Sequence, residues 1–325
     1  MLAPLPAQLS PLSPPNTIHY RVEPLNLHAH LFSITLTVPQ PTAGLVLALP
    51  VWIPGSYLVR EFAQHLQGMR AWQDGQPVAL RQLDKHRWRV DALAPVAQPA
   101  PITPGLPYPA PAHTPPLQVQ YEVYARDASV RTAWLDAERG FFNGTSLCLR
   151  VLGREEHPHQ LEVVRPAFPA TVHGAPATAA TAPVWRVATG LTPWQLDEHG
   201  FGVYSASSFD ELVDAPVEMG PFWSAQFEVC GIPHRLVVSG AGQWFDGERL
   251  LADTQRICET EMTFWHGSDG QPPFSRYVFM LHTTHDGYGG LEHANSTALI
   301  CPRSDLPRRS QPAQAGIPII FLTTE

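Results

Sequence analysis

The sequence predicts a mainly β first part, a sandwich or saddle, followed by a smaller mixed α/β unit. Three observations lead there. Short segments with a two-residue hydrophobic period fill the first two thirds of the chain. Proline reaches 35 of 325 residues, and proline is excluded from helix interiors and central strands, so elements must be short and loops many. Past residue 200 the pattern changes, and one strong helical stripe appears between strand-like runs.

Taken in order, Phe32, Ile34, Leu36 and Val38 alternate with Leu31, Ser33, Thr35 and Thr37, and Leu45, Leu47, Leu49 and Val51 repeat the pattern. His28 and His30 fall into register with the first of these, so they are read as lying on a strand face. Residues 69–73 form a strand closed by a turn at Asp74-Gly75, with 86–91 next. Leu117, Val119, Tyr121 and Val123 alternate, and strands are expected over 146–151, 161–164 and 184–187. Two Pro-Ala-rich stretches, 94–116 and 166–183, read as exposed loops because neither has enough apolar surface to bury. Ser208 to Glu211 is a capping box that opens a short helix through Val213, with Pro216 stopping it. Residues 227–230 and 234–239 form a hairpin around Gly231-Ile232. Residues 249–265 form the best helix, with Leu251, Thr254, Cys258, Met262 and Trp265 on one face. Residues 277–281 are a buried strand.

Composition narrows the function. Hydrophobic residues are 44% and charged residues 15%, enough to build a core. Lys and Arg number 21 against 29 Asp and Glu, a net charge of −8. That balance argues against nucleic acid as a partner, which requires a basic face. The sequence has no apolar run long enough to cross a bilayer, so a membrane is not expected as a partner either. The first residues carry no basic start and no apolar stretch, hence no export signal, and a cytoplasmic protein is expected. Cys148, Cys230, Cys258 and Cys301 lie far apart without a C-x-x-C pair, which fits free thiols in a reducing compartment.

The richest chemistry lies at residues 286–297, DGYGGLEHANST. Glycines beside a strand end let a ligand approach the backbone, since no Cβ stands in the way. Glu292 follows them and can face the same space. An extended peptide could pair with such a strand edge while the carboxylate captures its N-terminal ammonium. A plain Gly-rich turn with a solvated Glu has the same composition. His282, His285 and His293 invite a zinc reading, but 282 and 285 are three apart at a strand end rather than on one helix face, and loop histidines are the simpler account. The run His157-Pro-His159 beside Glu155 and Glu156 reads as a surface cluster. Ser56 sits in a turn with no evident base. The 325 residues contain no G-x-S-x-G, no P-loop, no dinucleotide fingerprint and not one His-Glu dipeptide, so no H-E-x-x-H.

Two stretches resemble one known family. Residues 51–65, VWIPGSYLVREFAQH, resemble the W-x-P-G-S-Y-x-x-R-E/D-F block of the glycyl aminopeptidase family of zinc metallopeptidases. Residues 282–303, HTTHDGYGGLEHANSTALICPR, resemble the segment before that family's zinc helix. Residues 220–240, GPFWSAQFEVCGIPHRLVVSG, fall between them in the same order. The resemblance covers about residues 17–306. It implies an N-terminal β domain at 17–215, preceded by a Pro-rich lead-in at 1–16. After it comes the incomplete start of a thermolysin-like catalytic domain at 216–306, then a divergent tail at 307–325.

The resemblance also implies site roles. Gly289-Gly290-Leu291-Glu292-His293 stands where related aminopeptidases carry G-x-M-E-N. Glu292 would hold the substrate α-amine while Gly289 and Gly290 line the peptide path, so peptide N-termini are the expected partners. Intact relatives use zinc held by H-E-x-x-H and a downstream Glu. Here the tail runs RRSQPAQAGIPIIFLTTE, and no metal ligand or complete catalytic set is assigned to this chain. The expectation is a truncated family member, inactive alone, with a non-catalytic peptide-binding or interaction module as the alternative.

Overall fold

The structure, a computed structural model, describes residues 16–91, 93, 114–168, 184–267 and 271–310, and the backbone of 171–172 and 175–176. Nearly all of the lead-in, most of both Pro-Ala stretches and tail residues 311–325, with the apolar run at 317–322, lie outside the described residues.

The chain is mostly β, as its periodicity predicts. The largest sheet has eight strands in the order Thr192–Leu196, Gly202–Ala206, His159–Val163, Ile18–Asn26, Leu31–Val38, Leu117–Tyr124, Leu66–Gln73 and Gln76–Val78. All its pairings are antiparallel except Ile18–Asn26 with His159–Val163. The alternation is obeyed strictly: Phe32, Ile34, Leu36 and Val38 are buried against Leu117, Val119, Tyr121 and Val123 in one core. Asp74 and Gly75 both take positive φ, the geometry of a two-residue hairpin turn. Two four-stranded sheets complete this first part, one built on Ala133–Leu135, Gly140–Phe142, Arg186–Thr189 and Val217–Gly220, the other on Val46–Ala48, Leu80–Gln82, Arg87–Val90 and Arg150–Val151.

Four local expectations are corrected. Asn26 Oδ1 accepts from the His28 and Ala29 N–H groups, so the strand ends there. His28 and His30 therefore sit in the hairpin turn, His30 with φ 58°. Ser146 and Leu147 belong to a single helical turn, Gly144–Leu147, and only Arg150–Val151 is strand. His159 is not on the surface: it opens the strand His159–Val163 with inward parity alongside Leu161 and Val163. Its ring lies 6.0 Å from that of Tyr20 and meets Phe209 edge-on. Trp265 is exposed, because the helix buries Leu250, Thr254, Cys258 and Met262 at four-residue steps and its last turn faces solvent.

The second sheet has five strands in the order Trp223–Val229, Ile232–Ser239, Tyr277–Thr284, Ser296–Pro302 and Gly289–His293. Its first hairpin turns through Cys230 and Gly231, one residue earlier than the expected Gly231-Ile232, because those two take positive φ and Ile232 already pairs with Val229. Helix Gly247–His266 covers one face, where Phe227, Leu236, Cys258, Met262, Tyr277 and Phe279 form a second core. The opposite face turns toward the first part, and Leu291, Ala298 and Ile300 join the first core. The two parts are also tied by a hydrogen bond to a buried ion pair of the first part. Arg139 donates twice to Glu218, at 2.8 and 2.7 Å, and Ser239 of the second sheet donates to the same carboxylate at 2.5 Å. Of the expected capping box, the N-cap half forms. Ser208 Oγ accepts from the Glu211 N–H, while the Glu211 carboxylate accepts from Ser207 rather than Ser208.

Candidate functional site

The Gly289–His293 strand is the outer strand of the second sheet, so one side of its backbone is free of a neighbouring strand. It runs antiparallel to Ser296–Pro302, with Glu292 opposite Thr297, and returns through a two-residue turn at Ala294-Asn295. Parity sends Leu291 and His293 inward, where both are buried, and sends Glu292 to the other face, where it is exposed. A Cβ on Gly289 would meet nothing within 4 Å, so there is open space beside the backbone. At Gly287 the glycine serves the turn instead. Its N–H donates to Thr284 Oγ1 at 2.7 Å, and a Cβ would collide with that oxygen.

Three elements of the first part converge on this strand. The 51–59 loop brings Gly55, at φ 79°, so close that a Cβ there would stand 2.9 Å from Leu291 Cδ1 and 3.6 Å from the Glu292 carbonyl oxygen. The two stretches that carried the family resemblance are therefore neighbours in space. Arg131 Nη2 donates to the Gly290 carbonyl at 3.1 Å. Asp214, the C-cap of helix Phe209–Val213, holds the far end: Oδ1 lies 3.0 Å from His293 Nδ1, and Oδ2 accepts from the Ala294 N–H at 2.9 Å. Asn295 adds a bond to the Gly190 carbonyl at 3.0 Å. Each contact fixes the rim of the strand without covering the Glu292 carboxylate, which has no hydrogen bond or ion pair among the described residues.

Beside the 294–295 turn lies a cavity of about 600 Å³ whose lining includes Trp52, Pro54, Arg150, Asp210, Asp214 and Asn295. Its charged lining is mainly acidic, with Glu211 adding a third carboxylate against one guanidinium. The loop beside it presents large apolar side chains to solvent: Trp52 is 48% exposed and Tyr57 99%. Trp52 Nε1 donates to the Ser56 carbonyl at 2.7 Å, which holds the indole in place. Ser56 is buried with its hydroxyl beside the Leu58 backbone, a turn role in line with its sequence context.

The three histidines separate. His282 lies within Tyr277–Thr284, where burial, then Arg139 and Arg303, lower its pKa to about 3. His285 is exposed beyond the strand end, and His293 is engaged by Asp214. Among the described residues no three His, Cys, Asp or Glu side chains are grouped to hold a metal. The described residues thus do not fit a zinc site. Arg131 and Asp214 escaped sequence reasoning. Asp214 has a weak signal as a carboxylate closing a capped helix, and Arg131 has none, since only the fold brings it to Gly290.

The chain is related to aminopeptidases. It superposes on an aminopeptidase N family protein from Idiomarina loihiensis with a TM-score of 0.77 and 36% identity, covering 93% of this chain and 45% of that one. The chain thus spans less than half the length of that protein. Residues 19–221 match the Peptidase M61 N-terminal domain, and the chain belongs to that family. An M1 zinc metallopeptidase from Deinococcus radiodurans is similar at 17% identity and a TM-score of 0.45, covering 88% of this chain and 60% of that one. That likeness is too remote to bear on chemistry. No curated protein sequence matches the chain. Among the described residues no helix is long and apolar enough to cross a membrane.

Proposed function

We propose that this chain forms the amine-binding part of an aminopeptidase of the glycyl type, acting on peptides with small N-terminal residues. The observation that carries the reading is the exposed, unpaired Glu292 on an outer strand whose position is set by Gly55, Arg131 and Asp214 of the first part. A peptide laid antiparallel beside Glu292 makes main-chain hydrogen bonds to this outer strand as far as the Gly290 carbonyl, which Arg131 occupies. Its ammonium then meets the Glu292 carboxylate in a charge-assisted bond. The open space at Gly289 lets the peptide backbone approach. In an intact enzyme of this family zinc would supply Lewis-acid chemistry at the peptide bond, and no group of described residues in this chain is placed to hold it. The part of the reaction assigned to this chain is capture of the peptide N-terminus, and its 325 residues hold no H-E-x-x-H.

Isothermal titration of the chain with Gly-Gly and Ala-Ala, and with their N-acetylated forms, tests the reading. Binding is expected for the free amines alone, and Glu292→Gln should weaken it by at least about tenfold. Equal binding of free and acetylated peptides, or no effect of Glu292→Gln, overturns it.

A further inference from the structure

We infer that Arg131 is the second anchor of the peptide site, a ligand for the substrate's C-terminal carboxylate that selects short free peptides. The inference rests on the reading of Glu292 as the amine anchor and adds where the peptide must end.

Arg131 is half-buried in the loop that follows the Asp127–Ser129 turn, whose Asp127 and Ser129 side chains bond the backbone N–H groups of Ser129 and Arg131. Its guanidinium makes one hydrogen bond, from Nη2 to the Gly290 carbonyl. Among the described residues no carboxylate stands within ion-pair distance of it. A half-buried guanidinium has five N–H donors and attracts a planar anion strongly when one is within reach. The bond from Nη2 to Gly290 keeps this guanidinium beside the outer strand, with its remaining donors not used in any ion pair among the described residues.

The spacing then decides what it can bind. Gly290 and Glu292 are two residues apart on one strand, about 7 Å at ordinary strand rise. An antiparallel peptide whose ammonium sits at Glu292 runs toward Gly290. After two residues, also about 7 Å of extended chain, it reaches the guanidinium. A dipeptide presents its carboxylate there and forms a second charge-assisted contact. A longer peptide presents a neutral carbonyl and must also displace Arg131 from the strand edge in order to pair further along Gly289.

The test compares Gly-Gly and Ala-Ala with their C-terminal amides and with tetra-alanine, by calorimetry on the full chain. Wild type should bind the free dipeptides about tenfold more tightly than the amides. Arg131→Gln should bring acid and amide within about twofold of each other, and Arg131→Lys, which keeps the charge and loses the fork, should retain part of the preference. Thermal unfolding should show both variants fully folded at the titration temperature, with Arg131→Gln lowered only by loss of its bond to Gly290. If wild type binds acids and amides equally, or if Arg131→Gln keeps the full preference, Arg131 is not the carboxylate anchor. In those cases a persisting loss on N-acetylation leaves the amine reading standing. Absence of any binding that depends on the free amine overturns both readings.

Discussion

Gly55 offers a direct measure of how tightly the 51–59 loop is set against the outer strand. Replacing it with alanine places a side chain at φ 79°, which costs about 1–2 kcal/mol. The reduced entropy of the unfolded chain offsets about 0.4–1 kcal/mol of that. The new Cβ also stands 2.9 Å from Leu291 Cδ1. That atom ends a side chain that could swing aside on a surface, but Leu291 is fully buried, so relief needs repacking at about 1–3 kcal/mol. The expected loss is about 2–4 kcal/mol.

Gly44 provides the control. It has φ 76° and nothing within 4 Å of a Cβ, so Gly44→Ala should lose only the conformational part, about 1 kcal/mol. Equilibrium urea unfolding of Gly55→Ala, Leu291→Ala and the double variant then isolates the contact. Leu291→Ala alone should cost about 2–5 kcal/mol, and in that background Gly55→Ala should fall to the Gly44 value. The coupling energy should be about 1–3 kcal/mol. Additivity within about 0.5 kcal/mol would falsify the claim that the loop and the strand are packed against each other.

The remaining expectations concern the supports of the same region. Glu218→Gln removes the charge that pairs with buried Arg139 and turns one of the two acceptor oxygens into an NH2 donor, so stability should fall by about 3–5 kcal/mol in urea unfolding, while Arg139→Met with Glu218→Gln should recover part of the loss. Asp214→Ala should release His293 and the Ala294 N–H, raising amide exchange at residues 289–296 with a local loss of about 1–3 kcal/mol. Acid sensitivity follows from His159, whose pKa burial lowers from 6.5 to about 4. Between those values the unfolded chain binds a proton that the folded ring refuses, so stability declines as pH falls through 6.5 and its contribution is lost by about 4. His159→Phe should reduce the slope of stability against pH by about one proton in that window, and an unchanged slope would exclude His159 as the source.

Much of the fold was legible locally. Strand periodicity marked Leu31–Val38 and Leu117–Tyr124, and Asp74-Gly75 supplied a turn with positive φ, while the hairpin expected around Gly231-Ile232 turns one residue earlier. Ser208 and Glu211 placed a helix start, and the three- and four-residue spacing of Leu251, Thr254, Cys258 and Met262 gave the long helix, whose buried stripe begins at Leu250. These signals are carried by neighbouring residues, through side-chain direction and backbone freedom, so they survive without a partner. The errors were local too. His159 was read by its polar neighbours although its parity with Leu161 and Val163 already turned it inward.

The site divides along the same line. Sequence by itself determined that glycines and a carboxylate, Gly289, Gly290 and Glu292, stand together on one short segment, because they are adjacent in the chain. Only the tertiary structure decided that this segment is an outer strand, and that Gly55, Arg131 and Asp214 hold it. Arg131 meets Gly290 across 159 residues and Asp214 meets His293 across 79. Contacts at such separations follow from strand order and from which faces must be buried, and neither is encoded in any local period.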